Sequence, residues 1–173
     1  MVKNKPRLYV VCFFRAPQEG GNPDPYRWGL ASGPKGGGMN DRLLYHVRNI
    51  PTAEGVQWQF EEPPRYLSIG LTPAMLTFTA VAKIRNLECL KQVIRTVPIN
   101  ANASWKVFNC HMWVEQALAA VVGYHRCVGT NAIPVDWATL HQQCTSFSDP
   151  IRQMGVQGQP LSTPRPIQNL IPE

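Results

Sequence analysis

The sequence predicts an α+β domain: a mainly antiparallel sheet of about five strands packed against helices. Three observations carry that expectation. Residues 7–84 hold five short segments rich in β-branched and aromatic residues, several with period-two alternation. Near residue 85 the apolar period changes to that of a helix. The strands come as one run and the helices follow, whereas a parallel sheet would alternate strand and helix.

The elements follow in chain order. "RLYVVCFF" (7–14) is apolar throughout and reads as a buried strand. "APQEGGNPDP" is turn material. "YRWGLAS" (26–32) is the second strand, closed by Gly33 and Pro34. "GPKGGGMNDR" is a loop, and "LLYHVRNI" (43–50) is a third strand. In "VQWQFEEP" (56–63), Val56, Trp58 and Phe60 alternate with Gln57, Gln59 and Glu61, which makes a fourth. "AMLTFTAVAKI" (74–84) is the fifth, with Met75, Thr77, Thr79 and Val81 opposite Leu76, Phe78 and Ala80.

Asn86 then caps a helix, "NLECLKQVIRTV", with Leu87, Leu90 and Ile94 on one face and Pro98 as its stop. Asn109 caps the longest helix, "NCHMWVEQALAAVV", whose apolar stripe is Trp113, Val114, Ala117, Leu118 and Val121. Gly123 weakens its end. "DWATLHQQC" (136–144) is a short last helix. Beyond Asp149 the chain is proline-rich and aperiodic, so residues 1–148 form the single domain and 149–173 a loosely ordered tail.

Bulk properties narrow the function classes. Of 173 residues, 44% are apolar and 16% charged, which suits a globular core. The formal charge of +6 is scattered, with no run of five like charges, so a nucleic-acid arm is not indicated. A mildly basic surface suits an anionic small molecule. The apolar run after Lys3, Lys5 and Arg7 ends at Arg15 without a small-residue cleavage site, so it is read as a strand rather than a signal peptide. No segment has the length of a membrane span. The five cysteines are widely and irregularly spaced with no C-x-x-C, so no metal site and no cofactor are expected. Five free thiols in a cytoplasmic setting are the expectation.

Cys110 is the candidate nucleophile. At the first position of a capped helix its sulfur lies near unpaired N–H groups and the positive end of the helix dipole, which favours thiolate. A free cysteine is also an ordinary small core residue, and that reading stays open. Among the histidines, His111 is about 100° round the helix from Cys110 and is expected to face solvent. His125 suits the helix C-terminus as a cation, and His141 is expected in surface or packing. His46 differs: it shares a strand face with Leu44 and Arg48. In "YRWGLASG", Arg27, Gly29 and Ala31 point one way, and two small residues there leave room for something to approach. The expectation is a helix start carrying Cys110, with Arg27 looking at the thiol. Tyr26 and Trp28 on the other face are candidates for ligand contact or core.

"YRWGLASGPK", then "LLYHVRN", then "FNCHMWVEQAL" resembles the order of the permuted papain-like proteins, the lecithin retinol acyltransferase and NlpC/P60-like group. The chain is also similar to small fungal proteins of this type, over roughly residues 7–145. In that group a strand of the form His-Trp-Ala-φ-φ-φ-Gly (φ apolar) carries the base, a following strand carries a second histidine, and an Asn-Cys pair opens the nucleophile's helix. The resemblance implies Cys110 as nucleophile and His46 as polarising residue, with Arg27, Tyr26, Trp28 and Asn109 lining the substrate site. The base position is Arg27, which departs from the pattern. Arginine stays protonated and cannot accept a proton at neutral pH. The implied function is a cysteine-enzyme-like domain with altered chemistry on a small-molecule, acyl or thioester substrate, as in fungal biosynthesis. It would be a hydrolase or acyltransferase, or a cyclase or isomerase that needs only polarisation. Two alternatives stay open: an inactive relative that binds an anionic ligand or protein partner, and a peptidase of deubiquitinase type.

Overall fold

The computed structural model describes residues 4–16, 21–36, 39–68, 72–123, 126–129 and 136–172. Strands β1 (Arg7–Phe14), β2 (Tyr26–Gly33), β3 (Leu43–Tyr45), β4 (Val47–Thr52), β5 (Gly55–Phe60), β6 (Arg65–Tyr66) and β7 (Met75–Lys83) precede helices α1 (Leu87–Arg95), α2 (Cys110–Gly123) and α3 (Trp137–Val156), and β8 (Ile167–Asn169) closes the order. The main sheet runs β6-β3-β2-β1-β7-β8, and β4 and β5 form a separate hairpin. Every pairing is antiparallel except β7 with β8. The α+β class and the mainly antiparallel sheet are as the periodicity predicts.

The sheet has two different faces. Leu8, Val10, Cys12, Tyr26, Trp28 and Leu30 join one core cluster with Leu90, Trp113, Val114, Leu118, Leu140 and Cys144 of the three helices. Tyr9, Val11, Phe13, Ala31, Leu44 and Phe78 form a second cluster that contains no helix residue and is covered by Leu67 and Ile171. Strand alternation sorts the residues, and the helices all take the first face.

Four expectations change. The third strand is two strands: β3 pairs with β2 only at Leu30–Ser32, and beyond His46 the chain leaves the sheet to pair with β5. In β7, a register shift opposite Cys12 and Phe13 puts Met75 on the same face as Phe78 and Ala80, so the simple alternation fails at its start. The last helix does not end at Cys144 but runs through Pro150 to Val156. Proline removes one backbone hydrogen bond there. The turns around it are held from outside: buried Ser148 is 2.6 Å from Thr77 Oγ1, and Tyr26 Oη donates to Asp149. Finally, the segment expected as a loose tail is built in. Arg165 is buried and donates to the carbonyls of Met75 (2.7 Å), Ser162 (2.9 Å) and Pro73 (3.3 Å), and β8 extends the sheet.

Cys89 and Cys127 form a disulfide, Cα–Cα 5.3 Å, so the free thiols are three: Cys12, Cys110 and Cys144, all buried. Irregular spacing hid this pair because it joins α1 to a loop near the end of β7, where Val128 bridges Ile84. His125 lies outside the described residues.

Candidate functional site

Asn109 positions the thiol. Its Oδ1 accepts from the Met112 backbone N–H at 3.0 Å and its Nδ2 donates to Trp105 O at 3.0 Å, so it caps α2 from a fixed orientation. Cys110 therefore opens the helix, as predicted. Its sulfur is 3.6 Å from Nη2 of Arg15, which follows β1 and is itself buried, with Nε donating to Tyr26 O at 3.3 Å. Burial pushes the thiol pKa up; Arg15 and the backbone N–H groups of Trp28 and His111 oppose this without overcoming it. The helix start was expected to yield a reactive thiolate. The resting group is instead a thiol, because only 3% of the residue is exposed and desolvation outweighs the nearby cation.

The residue after this thiol, His111, belongs to a layer of rings. Trp28 stacks on His141 at 4.8 Å, His111 is parallel to Trp137 at 6.2 Å, and the two imidazoles are 5.8 Å apart. Asp24 Oδ2 accepts from Trp28 Nε1 at 3.0 Å and acts electrostatically on both Cys110 and His111. Burial holds the His111 pKa below its ordinary value, so the ring is neutral at neutral pH and can accept a proton. His111 and His141, expected to face solvent or merely pack, thus share one ring layer. No spacing rule pairs them, since α3 folds back over β2 only in three dimensions. Arg15 is as hidden in sequence, being 95 residues from the sulfur it faces.

The other half of the expected site is elsewhere. Arg27 is exposed and, with His46, Phe13, Leu44, Arg65, Thr72, Pro73 and Ala74, lines a cleft of about 280 Å³ on the face that carries no helix. The small residue at Gly29 makes no room for α2: a Cβ there would meet Leu44 Cδ1 at 3.2 Å and His46 Cβ at 3.3 Å. The neighbouring strand, not the helix start, needed the space. Arg27 and His46 line this same cleft; Cys110, expected beside them, is in the helix-side core with Trp28. Tyr26 and Trp28 are buried on that helix side and use their polar atoms on Asp149 and Asp24.

His46 Nε2 is hydrogen-bonded to Glu61 Oε2, and the Glu61 backbone N–H donates to His46 O at 3.1 Å. Glu61 also pairs with Arg65 at 3.2 Å and Arg48 at 3.7 Å. The bond from His46, with both guanidinium groups adding, holds the Glu61 pKa below its ordinary value against the opposing effect of burial. Among the described residues no group of three or more His, Cys, Asp or Glu side chains could hold a metal, and no helix is long and apolar enough to cross a membrane.

No curated protein and no solved structure matches the chain. A model for a family of unknown function (DUF6914) matches residues 5–160, a span that takes in β1 through α3, the thiol with its ring layer, and the Arg27–His46 cleft. By the extent of that match, the chain belongs to this family.

Proposed function

We propose that the chain is a cysteine-enzyme-like domain of permuted papain-like build that performs acyl transfer on a small molecule. Cys110 is the nucleophile, and the proton acceptor is an imidazole of the α2–α3 ring layer instead of a residue at position 27. The observation that carries this reading is the Arg15 guanidinium on the Cys110 sulfur at a capped helix start, with the next residue, His111, edge-on to His141 at 5.8 Å. In this reading the His111 ring, whose pKa burial lowers, takes the thiol proton as the sulfur attacks a carbonyl carbon. Arg15 then faces the developing negative charge, and the protonated imidazole returns the proton to the leaving group. A cytoplasmic setting belongs to the same reading. The Cys89–Cys127 disulfide is the observation against it, since the cytosol keeps thiols reduced.

The inactive-relative reading is favoured by one fact, the nearly complete burial of the sulfur. Incubation with a panel of activated esters and thioesters, followed by intact and peptide mass spectrometry, separates the two. The enzyme reading expects an acyl group on Cys110 that is absent in Cys110→Ser. It also expects His111→Gln or His141→Gln to slow acylation by about 10²–10⁴-fold, the usual contribution of a general base. A native protein that takes up no acyl group, while its denatured chain is readily labelled, is a binding protein.

A further inference from the structure

The cleft on the helix-free face has the make-up of a binding site in its own right. Its floor and walls are apolar: Phe13 and Leu44 from the second core cluster, with Pro73 and Ala74 from the approach to β7. Its polar groups converge from three separate stretches, Arg27 on β2, His46 between β3 and β4, and Arg65 on β6, with the Thr72 residue at the rim. Glu61, only 13% exposed, holds two of them, taking His46 Nε2 through one oxygen and pairing with Arg65, and with Arg48 beside it, through the other. With Nε2–H donated to Glu61, Nδ1 is the remaining nitrogen of the His46 ring.

The charges do not cancel. Arg27 has an interaction partner of its own and is left out of the count. Arg48 and Arg65 still bring two positive charges to one carboxylate, leaving one in excess. Arg65 sets its Nε 3.2 Å from Glu61 as an ion pair without hydrogen-bond geometry and is about two-fifths exposed, so its guanidinium can meet a second oxyanion without being dragged out of water. At about 280 Å³ the cleft is at the small end of ligand sites.

We propose that this cleft binds a small organic anion, one carboxylate or phosphate on a compact apolar body. The anionic head lies against Arg65 and the body against Phe13 and Leu44. The site is separate from the thiol: Phe13 and Leu44 belong to one core cluster and Cys110 to the other, on the other face of the sheet. A cleft made only by imperfect closure of loops would have no reason to gather Arg27, His46 and Arg65 from three stretches, two of them on one largely covered carboxylate.

Titration calorimetry of the folded protein with benzoate, phenyl phosphate, benzylamine and benzyl alcohol tests this. Saturable binding of at least one anion is expected, tighter than either the amine or the neutral alcohol by tenfold or more. Arg65→Met, confirmed folded by circular dichroism, should weaken it about ten- to hundredfold, the loss expected for one charge-assisted contact. Arg65→Lys keeps the charge without the fork and should fall between the two; it also serves if Arg65→Met does not fold. Cys110→Ser should leave the affinity within twofold, whatever its effect on acylation. No binding of either anion, equal binding of all four probes, or an affinity unmoved in the Arg65 variants overturns the proposal. Loss of anion binding in Cys110→Ser overturns its separateness from the thiol site.

Discussion

At the residue scale, burial decides more than residue type. Cys110 has the helix position of a thiolate and the environment of a thiol. Arg42 is the opposite surprise, a guanidinium with no exposed surface and no hydrogen bond on any of its three nitrogens among the described residues. Its charge is between the rings of Tyr9 (4.9 Å) and Phe78 (4.8 Å). Two desolvated cation–π contacts offset only part of the cost of burying five unmatched N–H groups. Arg42→Met keeps most of the stem and removes the charge. It should therefore raise stability by roughly 1–3 kcal/mol, read as a higher urea midpoint at unchanged slope. A lower midpoint would mean that the aromatic contacts outweigh desolvation. Glu61 gives the pH prediction. Its folded pKa lies below the ordinary value of 4.5, so its network stabilises the fold fully above that value. The contribution is lost as pH falls through the lower folded pKa. Urea unfolding at neutral pH and below pH 4 should show the loss in wild type and a flatter profile in Glu61→Gln. Equal slopes in the two proteins would remove the network from acid stability.

At the element scale, helix starts were legible and strand ends were not. Asn86 and Asn109 both cap, because a short side-chain acceptor before an apolar period has few other uses; Asn86 Oδ1 accepts from Cys89 N at 3.0 Å. The run 43–50 gave no sign that it breaks, since both halves are extended and only the partner strand changes at His46. α1 carries a second constraint, the bond from Cys89 to Cys127, 38 residues on. Closing a loop of that length stabilises by roughly 3–4 kcal/mol through the unfolded chain. Thermal melts with and without reductant should therefore differ, with the reduced protein melting lower. Alkylation after denaturation should modify three cysteines without reductant and five with it. Five in both conditions would show that the bond does not form.

At the scale of the whole molecule, one sheet divides the chain into a helix layer and a loop layer. The helix layer follows from amphipathic pattern: the stripe Trp113, Val114, Ala117, Leu118 and Val121 is buried as read. The loop layer depends on the last residues. Ile171 closes the second cluster, and Gln168 donates to Thr79 Oγ1 at 2.9 Å and to Gln143 O at 3.2 Å, tying β8 to β7 and α3. Arg165→Ala should cost about 2–3 kcal/mol, since charged hydrogen bonds to the Met75 and Pro73 carbonyls are lost together. Removing residues 160–173 should lower the melting temperature further and create binding sites for an apolar dye. An unchanged melting temperature in either variant would return this segment to the status of a tail.

The sequence by itself determined the class of the fold, the order of strands before helices and the capped start of α2 at Cys110. All of these depend on local period, capping chemistry or alternation within neighbouring strands, which a short window contains. Tertiary structure alone decided which face of β2 receives the helices. Alternation sorts side chains into two sets but does not say which set meets which layer. It also decided that Arg15 meets the Cys110 sulfur and that His111 and His141 share one ring layer. Those contacts join segments separated by tens of residues, and no local pattern can hold a distance that arises only when α2 and α3 close on the sheet.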